Sequence, residues 1–249
     1  MVQVHWRVTQ RDAHRLRKFV DERRNAPLVR QRIRRNLRGH RPPINRPRFW
    51  RALLLGLLTT QQKSGPGSAV NRLLSRHPFP LTYRRVASVR SPSALVRQVL
   101  RAHGGIRRTG TIAVQASRNL VLVRSEWRRI RLELRQLESR HTPATERLVA
   151  QFLADKIVGL GPKQARNVLQ HLGLTRYEIP LDSRVTGWLN EFGFPIRLSA
   201  QALSDPNYYC FVSDGLQVLC EKAGVVPCVL DAAVFSSFDA EPWTPRALL

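Results

Sequence analysis

The stretch Val158-Gly159-Leu160-Gly161-Pro162-Lys163-Gln164-Ala165 decides the fold of this chain. Gly159 and Gly161 can adopt positive φ and let the backbone approach a ligand closely. Pro162 suits the first turn of a helix, whose free N–H groups and partial positive charge favour a phosphate. The stretch therefore predicts a glycine hairpin that leads into a helix and binds an anion without reading a base sequence.

A helical pattern precedes the hairpin. Thr142-Pro143 is typical of an N-cap followed by proline in the first turn. The apolar residues that follow at helical spacing are Leu148, Val149, Phe152, Leu153 and Ile157. This pattern predicts a helix that runs into Gly159.

The helix after the hairpin carries Lys163 in its first turn. Its apolar stripe consists of Ala165, Val168, Leu169 and Leu172. At about 100° per residue, Lys163 lies opposite the centre of this stripe, on a polar face shared with Arg166, Asn167 and Gln170. We therefore expect Lys163 to point away from the core.

An aspartate follows 19 residues after Lys163. Gly173 is placed to end the lysine helix, and Pro180-Leu181-Asp182 leads into a further helical pattern for which Asp182 is suited to be the N-cap. An aspartate there can face Lys163, which is a layout for amine chemistry on DNA. Taken alone, Asp182 is an ordinary helix cap and Lys163 an ordinary phosphate contact.

Together these motifs resemble the helix-hairpin-helix DNA glycosylase superfamily, which includes endonuclease III and the 8-oxoguanine glycosylases. In that family a Gly-hydrophobic-Gly hairpin is followed two residues later by the lysine nucleophile of the bifunctional members, and residues 159–163 fit it position by position. A Gly/Pro-rich loop ending in an essential aspartate corresponds to Gly173, Pro180 and Asp182. The resemblance covers roughly residues 48–240 and implies that Lys163 and Asp182 are catalytic.

The resemblance extends to a helix that ends in two glutamines. The apolar pattern of residues 50–58 stops at Ser64-Gly65-Pro66-Gly67. Leu57-Leu58-Thr59-Thr60-Gln61-Gln62 resembles the family's helix end whose glutamine fills the gap in the duplex. The sequence leaves open whether Gln61 or Gln62 does so. The full set of DNA-binding candidates is Gly159, Gly161, Gln61, Gln62 and Asn167.

The composition agrees with a polyanionic partner. The chain has 42 Lys+Arg against 17 Asp+Glu, a formal charge of +25, which is suited to releasing counterions from DNA. Only five of the basic residues are lysines, and arginine stays protonated and cannot readily act as an amine nucleophile. A genomic bias towards arginine explains this ratio about equally well. Lys163 is nevertheless one of only five lysines, and its position at the hairpin is consistent with a role for its amine.

Other functional classes find little support. No apolar run is long enough for a membrane span, and no secretory signal is visible, so we expect an intracellular protein, in the cytoplasm or nucleoid if prokaryotic. Cys210, Cys220 and Cys228 are too few for the four-cysteine iron–sulfur cluster of several relatives. His103, His141 and His171 show no metal-ligand spacing. We expect no metal, no cofactor and a monomer.

The helical patterns predict an all-α protein with two lobes and a DNA-binding cleft between them. Residues 1–49 form a basic arm that belongs to the second lobe, and a transit peptide fits this arm less well because it contains three acids. Residues 50–172 form a helical barrel with the hairpin, and residues 173–249 form the remaining helices of the second lobe. The pattern from Gly110 to Glu138 fits either one helix or two.

The resemblance implies a glycosylase with AP lyase activity that turns a damaged nucleotide out of duplex DNA. The absent cluster and the 19-residue spacing favour an oxidised purine, with 8-oxoguanine as the first candidate. Two alternatives stay open: a monofunctional glycosylase in which Asp182 activates water, and a DNA-binding module without catalysis. The aromatic candidates for a base-stacking wall are Phe235, Phe238, Trp188 and Trp243, although aromatics at helical spacing more often belong to a core.

Overall fold

The structure is a computed structural model that describes residues 6–238. Within that range it contains helices and no strands. The first seven α-helices are α1 (Gln10–Asp21), α2 (Pro27–Arg32), α3 (Arg46–Leu58), α4 (Ala69–Leu74), α5 (Tyr83–Ala87), α6 (Pro92–His103) and α7 (Thr109–Ser125). The others are α8 (Trp127–Ser139), α9 (Pro143–Lys156), α10 (Pro162–Leu172), α11 (Ser183–Phe192), α12 (Pro206–Ala223) and α13 (Pro227–Phe238). A π-helix (Ile33–Leu37) continues α2, and a short 3₁₀-helix (Ala202–Ser204) precedes α12.

Two separate hydrophobic cores confirm the two-lobed all-α architecture. The first core draws its buried side chains from residues 49–174, and so from α3 to α10. The second combines residues 13–29 with residues 179–234. The chain passes from the first core to the second between residues 174 and 179. The domain boundaries expected from the sequence stay a prediction.

The basic N-terminal segment is helical and belongs to the second core. Ala13, Leu16 and Val20 are the buried residues of α1, at i, i+3 and i+7, and its basic side chains occupy the other faces. Thr9 and Asp12 form a capping box at its start. Because α1 packs on α12, the first helix and a C-terminal helix belong to the same lobe.

The pattern from Gly110 to Glu138 proves to be two helices. Helix α7 ends at Ser125 and α8 begins at Trp127, with Glu126 as the joint between them. The apolar periodicity continues across this joint, so it gave no sign of the break.

The hairpin between α9 and α10 is close to the expectation, with one difference. Thr142 accepts a hydrogen bond from the N–H of Thr145, as an N-cap does, but Leu148 is 69% exposed and does not join the core. Gly159 has φ +88, whereas Gly161 has φ −99. Gly159 uses the positive φ that glycine permits, whereas Gly161 is the N-cap of α10 and has the extended backbone of an N-cap residue.

Helix α7 fixes the hairpin from behind. The side chain of Asn119 is fully buried and bonds both backbone groups of Val158, accepting from its N–H and donating to its carbonyl, each at 2.9 Å. One turn earlier, the amide of Gln115 covers Gly159 so closely that a Cβ there would lie 2.4 Å from Gln115 Cδ. Glycine at position 159 is therefore required both by the positive φ and by the packing.

We expect Asn119→Ala to destabilise the protein by about 1–3 kcal/mol, because it leaves two hairpin backbone groups without their buried partner. Urea unfolding would show this as a lower midpoint with an unchanged slope. Arg118→Ala, at the exposed neighbouring position on α7, is the matched control and should change stability little. Equal midpoints for the two variants would contradict this account of the hairpin.

Candidate active site

The loop of residues 173–182 positions Asp182, and a buried carboxylate holds its first half. Glu146, in the first turn of α9, is fully buried. It accepts hydrogen bonds from the N–H groups of Arg176, Tyr177 and Glu178, with shortest distances of 3.0, 3.1 and 2.9 Å. His141 Nε2 lies 3.0 Å from the same carboxylate. Three consecutive backbone donors that the loop would otherwise leave buried without partners are thus satisfied.

A tyrosine of α12 holds the second half of the loop. The hydroxyl of Tyr209 donates to the carbonyl of Ile179 and accepts from the N–H of Leu181, each at 2.7 Å. Burial raises the pKa of Tyr209, so the phenol keeps the proton that it donates. The residue before Asp182 is therefore fixed to the second lobe.

A second buried carboxylate, Glu178, pairs with two arginines. Its oxygens accept from Arg166 Nε at 2.8 Å and from Arg147 Nη2 at 2.7 Å. Burial alone would raise the pKa of Glu178, but the two guanidinium groups outweigh it and hold this pKa below its usual value. Glu178 is therefore ionised inside the protein.

Lys163 and Asp182 meet at the mouth of a cleft. Lys163 Nζ lies 3.8 Å from Asp182 Oδ2, and the two side chains are 28% and 18% exposed. The other carboxylate oxygen, Oδ1, caps α11 by accepting from the N–H groups of Arg184 and Val185 at 2.9 and 3.2 Å. The carboxylate is therefore held by its cap with one oxygen directed at the lysine.

The cleft has a volume of about 1190 Å³, and a smaller pocket of about 80 Å³ opens beside it. The cleft runs between the helix end at residues 59–64, the hairpin at 161–164 and the start of α11 at 181–184. Lys163, Asp182 and Phe235 line both spaces. The lysine–aspartate pair therefore lies where the pocket meets the cleft.

The rest of the pocket wall includes polar residues that the sequence did not indicate. Arg32 and Asp231 form a buried ion pair at 2.7 Å. Arg166 and Gln170 were expected on an open polar face, but the second lobe packs over that face and leaves them 1% and 7% exposed. The polar residues of the pocket wall that the sequence did not place there are Gln31, Arg32, Arg35, Gln170, His171 and Asp231. Three of these come from the N-terminal segment, more than 120 residues before Lys163, which no local pattern connects to the hairpin.

The two glutamines have different environments. Gln61 is exposed, lines the cleft and has a left-handed backbone with φ 58. Gln62 is bound at both ends of its amide, donating to the carbonyl of Leu58 and accepting from the N–H of Arg107 at 2.9 Å. Both glutamines line the cleft, but Gln61 is exposed whereas the amide of Gln62 is bonded to the cleft wall.

The other DNA-binding candidates lie at different places. Gly161 lines the cleft, whereas Gly159 is exposed, packs against the Gln115 amide and lines neither the cleft nor the pocket. Asn167 lines the pocket with Lys163 and does not reach the cleft. Its distance from the cleft follows from its position one turn after Lys163 along α10.

Of the four aromatic candidates, one is in place. Phe235 lines both the pocket and the cleft, with the guanidinium of Arg184 4.0 Å from its ring centre. Trp188 stacks on Phe192 at 4.8 Å between ring centres and belongs to the second core. Phe238 is 47% exposed and lines neither space, and Trp243 lies outside the described residues. Placing Trp188 and Phe238 in the pocket was wrong, since Trp188 is buried in the second core and neither residue lines the pocket.

The cysteines and histidines form no group of three or more potential ligands, with carboxylates included, within residues 6–238. Cys220 and Cys228 are buried, and burial raises the pKa of the Cys228 thiol to about 12. His103 Nε2 lies 2.9 Å from the carbonyl of Ala69.

No helix in the described part of the chain has the length and apolar character to span a membrane.

The geometry can be compared with solved structures. The 8-oxoguanine DNA glycosylase of Thermotoga maritima has 18% identity and a TM-score of 0.64 over 93% of this chain and 100% of its own. That of Methanocaldococcus jannaschii has 17% identity and a TM-score of 0.62 over 95% and 100%. The M. jannaschii 8-oxoguanine glycosylase/lyase in complex with a 15mer DNA containing 8-oxoguanine has 16% identity and a TM-score of 0.67 over 92% and 100%.

This chain has the 8-oxoguanine DNA glycosylase fold. The likeness covers both lobes, and it confirms the helix-hairpin-helix glycosylase fold expected from the sequence. Neither the family models nor the curated proteins gave a match to the sequence. At this level of identity the glycosylase fold is what the likeness establishes.

The environment of His171 in the pocket wall predicts how the stability of the protein depends on pH. Burial and the charges of Arg35, Arg32 and Arg51 hold the pKa of His171 well below its usual value of 6.5. Because the unfolded chain takes up this proton first, the folded protein should lose stability as the pH falls below about 6.5. His171→Gln should lessen the loss between pH 6.5 and 5 by up to about 2 kcal/mol. Urea unfolding at a series of pH values measures this, and a steeper loss in the variant would refute it.

Proposed function

We propose that this protein is a bifunctional DNA glycosylase with AP lyase activity that removes an oxidised base from duplex DNA. The observation that carries the proposal is the approach of Lys163 Nζ to 3.8 Å from Asp182 Oδ2 at the junction of pocket and cleft. A nucleotide turned out of a duplex in the cleft would bring its base into the pocket and its sugar to these two groups.

Lys163 is the proposed nucleophile. Its unprotonated amine attacks C1′ of the deoxyribose as the bond from C1′ to the base breaks, and the base leaves with that electron pair and takes up a proton. Opening of the sugar ring gives a Schiff base between Nζ and C1′. Loss of a proton from C2′ then expels the 3′ phosphate by β-elimination, and hydrolysis of the Schiff base releases the lysine.

Asp182 is the proposed electrostatic partner. Its Oδ2 faces the position of the sugar, where positive charge develops as the base departs, and its Oδ1 is engaged by two N–H groups of α11. A carboxylate fixed in this way before the reaction stabilises that charge without having to reorient. The same oxygen can take up the proton that the amine loses on attack.

The DNA backbone is the proposed ligand of the hairpin. Gly161 has no side chain to cap α10, and Gly161, Lys163 and Gln164 line the cleft. The first N–H groups of α10 are thus suited to a phosphate of the strand that carries the damaged nucleotide. The formal charge of +25 adds affinity that should weaken steeply with salt.

An oxidised base is the proposed substrate, with 8-oxoguanine as the first candidate. The support is the fold, since the three similar structures are those of 8-oxoguanine DNA glycosylases and one of them is bound to DNA that contains this lesion. The pocket wall combines an aromatic ring, Phe235, with the amides of Gln31 and Gln170. A ring to stack on and amides to hydrogen-bond a base edge suit a nucleobase.

The two active-site side chains can be tested separately. Lys163→Gln should abolish the protein–DNA adduct that borohydride traps, because it removes the only group proposed to form the Schiff base. Asp182→Asn keeps a good N-cap and should lower the single-turnover rate of base release by about 10²-fold or more. Lys222→Gln, an exposed lysine of α12, is the matched control and should trap like wild type.

The substrate panel for this test is a set of duplexes that each contain one damaged base. Base release without a trapped adduct would contradict the lyase proposal and indicate a monofunctional glycosylase in which Asp182 activates water. Binding without base release from any duplex, by a folded protein, would leave a DNA-binding module and defeat the enzyme assignment.

The glutamines allow a second test. We expect Gln61→Gly, which suits the left-handed backbone, to reduce base release and damaged-duplex affinity roughly tenfold, because the gap in the duplex is no longer filled. Gln61→Asn keeps a shorter amide and should retain part of the base release and affinity that Gln61→Gly loses. A fluorescent reporter of base flipping should rank the three proteins in the same order, with wild type first and Gln61→Gly last. A larger loss in Gln62→Ala than in Gln61→Gly would reverse the assignment.

A further inference from the structure

We propose that Glu178 is a positioning residue for this reaction, and that its carboxylate sets the separation of Lys163 from Asp182. The inference rests on the proposed function of those two residues. Glu178 does not touch the pocket or the cleft, and it would act through the elements that carry the catalytic pair.

The first support is the place of the contacts along the chain. Arg166 lies one helical turn after Lys163 on α10, and Glu178 lies four residues before Asp182 on the loop. Their ion pair, 2.8 Å from Arg166 Nε to Glu178 Oε2, therefore joins the helix of the lysine to the loop of the aspartate. A change in this contact should therefore change the distance between Lys163 and Asp182.

The second support is that the carboxylate is held on every side. While Arg166 occupies Oε2, Oε1 accepts from Arg147 of α9 and from Ser213 and Gln217 of α12, at 2.7, 3.1 and 3.0 Å. Both arginines keep Glu178 ionised, and it is fully buried. Three helices from both cores thus converge on one group that cannot turn or exchange its partners for water.

The third support is a second contact from the same arginine. The guanidinium of Arg166 lies over the ring of Tyr209, 4.2 Å from its centre. The hydroxyl of that tyrosine bonds Ile179 and Leu181, directly before Asp182. Arg166 therefore contacts both groups that determine where the loop ends.

Stability alone is a weak reason for such an arrangement. A buried ion pair costs desolvation, and well-packed apolar side chains of similar volume often stabilise a protein as much or more. What an ion pair adds is direction, since Nε and Nη2 of Arg166 both donate to Oε2 of Glu178 and two donors of one planar guanidinium meet a carboxylate oxygen in few orientations. The position of Asp182 Oδ2, 3.8 Å from Lys163 Nζ, depends on the loop that carries the aspartate, and the Arg166–Glu178 pair gives that loop a fixed direction relative to α10.

The test compares Glu178→Gln with Asp214→Asn. Each removes one carboxylate from Arg147, but Asp214 is largely exposed and lies outside the link between α10 and the loop. In single-turnover assays on the duplex that wild type processes, Glu178→Gln should lower the rate of base release tenfold or more and leave duplex affinity within twofold. Asp214→Asn should match wild type in both. Arg166→Lys keeps the charge and loses the planar pair of donors, and it should slow the reaction in the same way. It is the test variant if Glu178→Gln does not fold.

A combination of variants separates positioning from a general loss of stability. If Glu178 acts through Asp182, adding Glu178→Gln to Asp182→Asn should slow base release by less than twofold further. Wild-type rates in folded Glu178→Gln and Arg166→Lys, or a full tenfold further loss in the double variant, would overturn the positioning role. Absence of base release from wild type itself would instead overturn the proposed function, and the inference with it.

Discussion

The loop of residues 173–182 crosses from one hydrophobic core to the other, and buried carboxylates hold it in place. A loop that runs through the interior must find partners for its backbone, and Glu146 supplies one carboxylate for three consecutive N–H groups. Glu178 brings a charge into the same region, and two arginines from α9 and α10 neutralise it. The position of Asp182 depends on these contacts, because it is the last residue of the loop.

The lysine has further contacts of its own. Asn119 and Gln115 of α7 pack behind the hairpin, so the first core holds the start of α10 and with it Lys163. Tyr209 adds a contact from the second core to the residues directly before Asp182. The pair therefore forms only where the two lobes meet, which explains why the pocket opens there and why both lobes contribute to its wall.

The sequence predicted what is encoded locally. The caps at Thr142 and Asp182 and the glycine at position 173 mark helix ends by short-range chemistry, and the structure has helices beginning and ending there. The facing of Lys163 and Asp182 was also expected, from the family pattern. Where two helices join without a break in apolar periodicity, as at Glu126, the sequence could not decide.

What the sequence could not predict depends on contacts between distant segments. Arg166 and Gln170 look like solvent-facing residues of α10, and only the presence of the second lobe makes them buried. Arg32 and Asp231 form their ion pair across nearly the whole length of the chain. Trp188 was misplaced for the same reason, because an aromatic residue on a helix packs equally well in a core or in a pocket, and its neighbours in space decide which.

The most direct test of the catalytic pair is to locate the covalent link to DNA. After borohydride reduction of the reaction with an 8-oxoguanine duplex, protease digestion and mass spectrometry identify the modified side chain among the five lysines. The account predicts that the sugar adduct is on Lys163 and that Asp182→Asn slows its formation. An adduct on another lysine or on the terminal amine would contradict it.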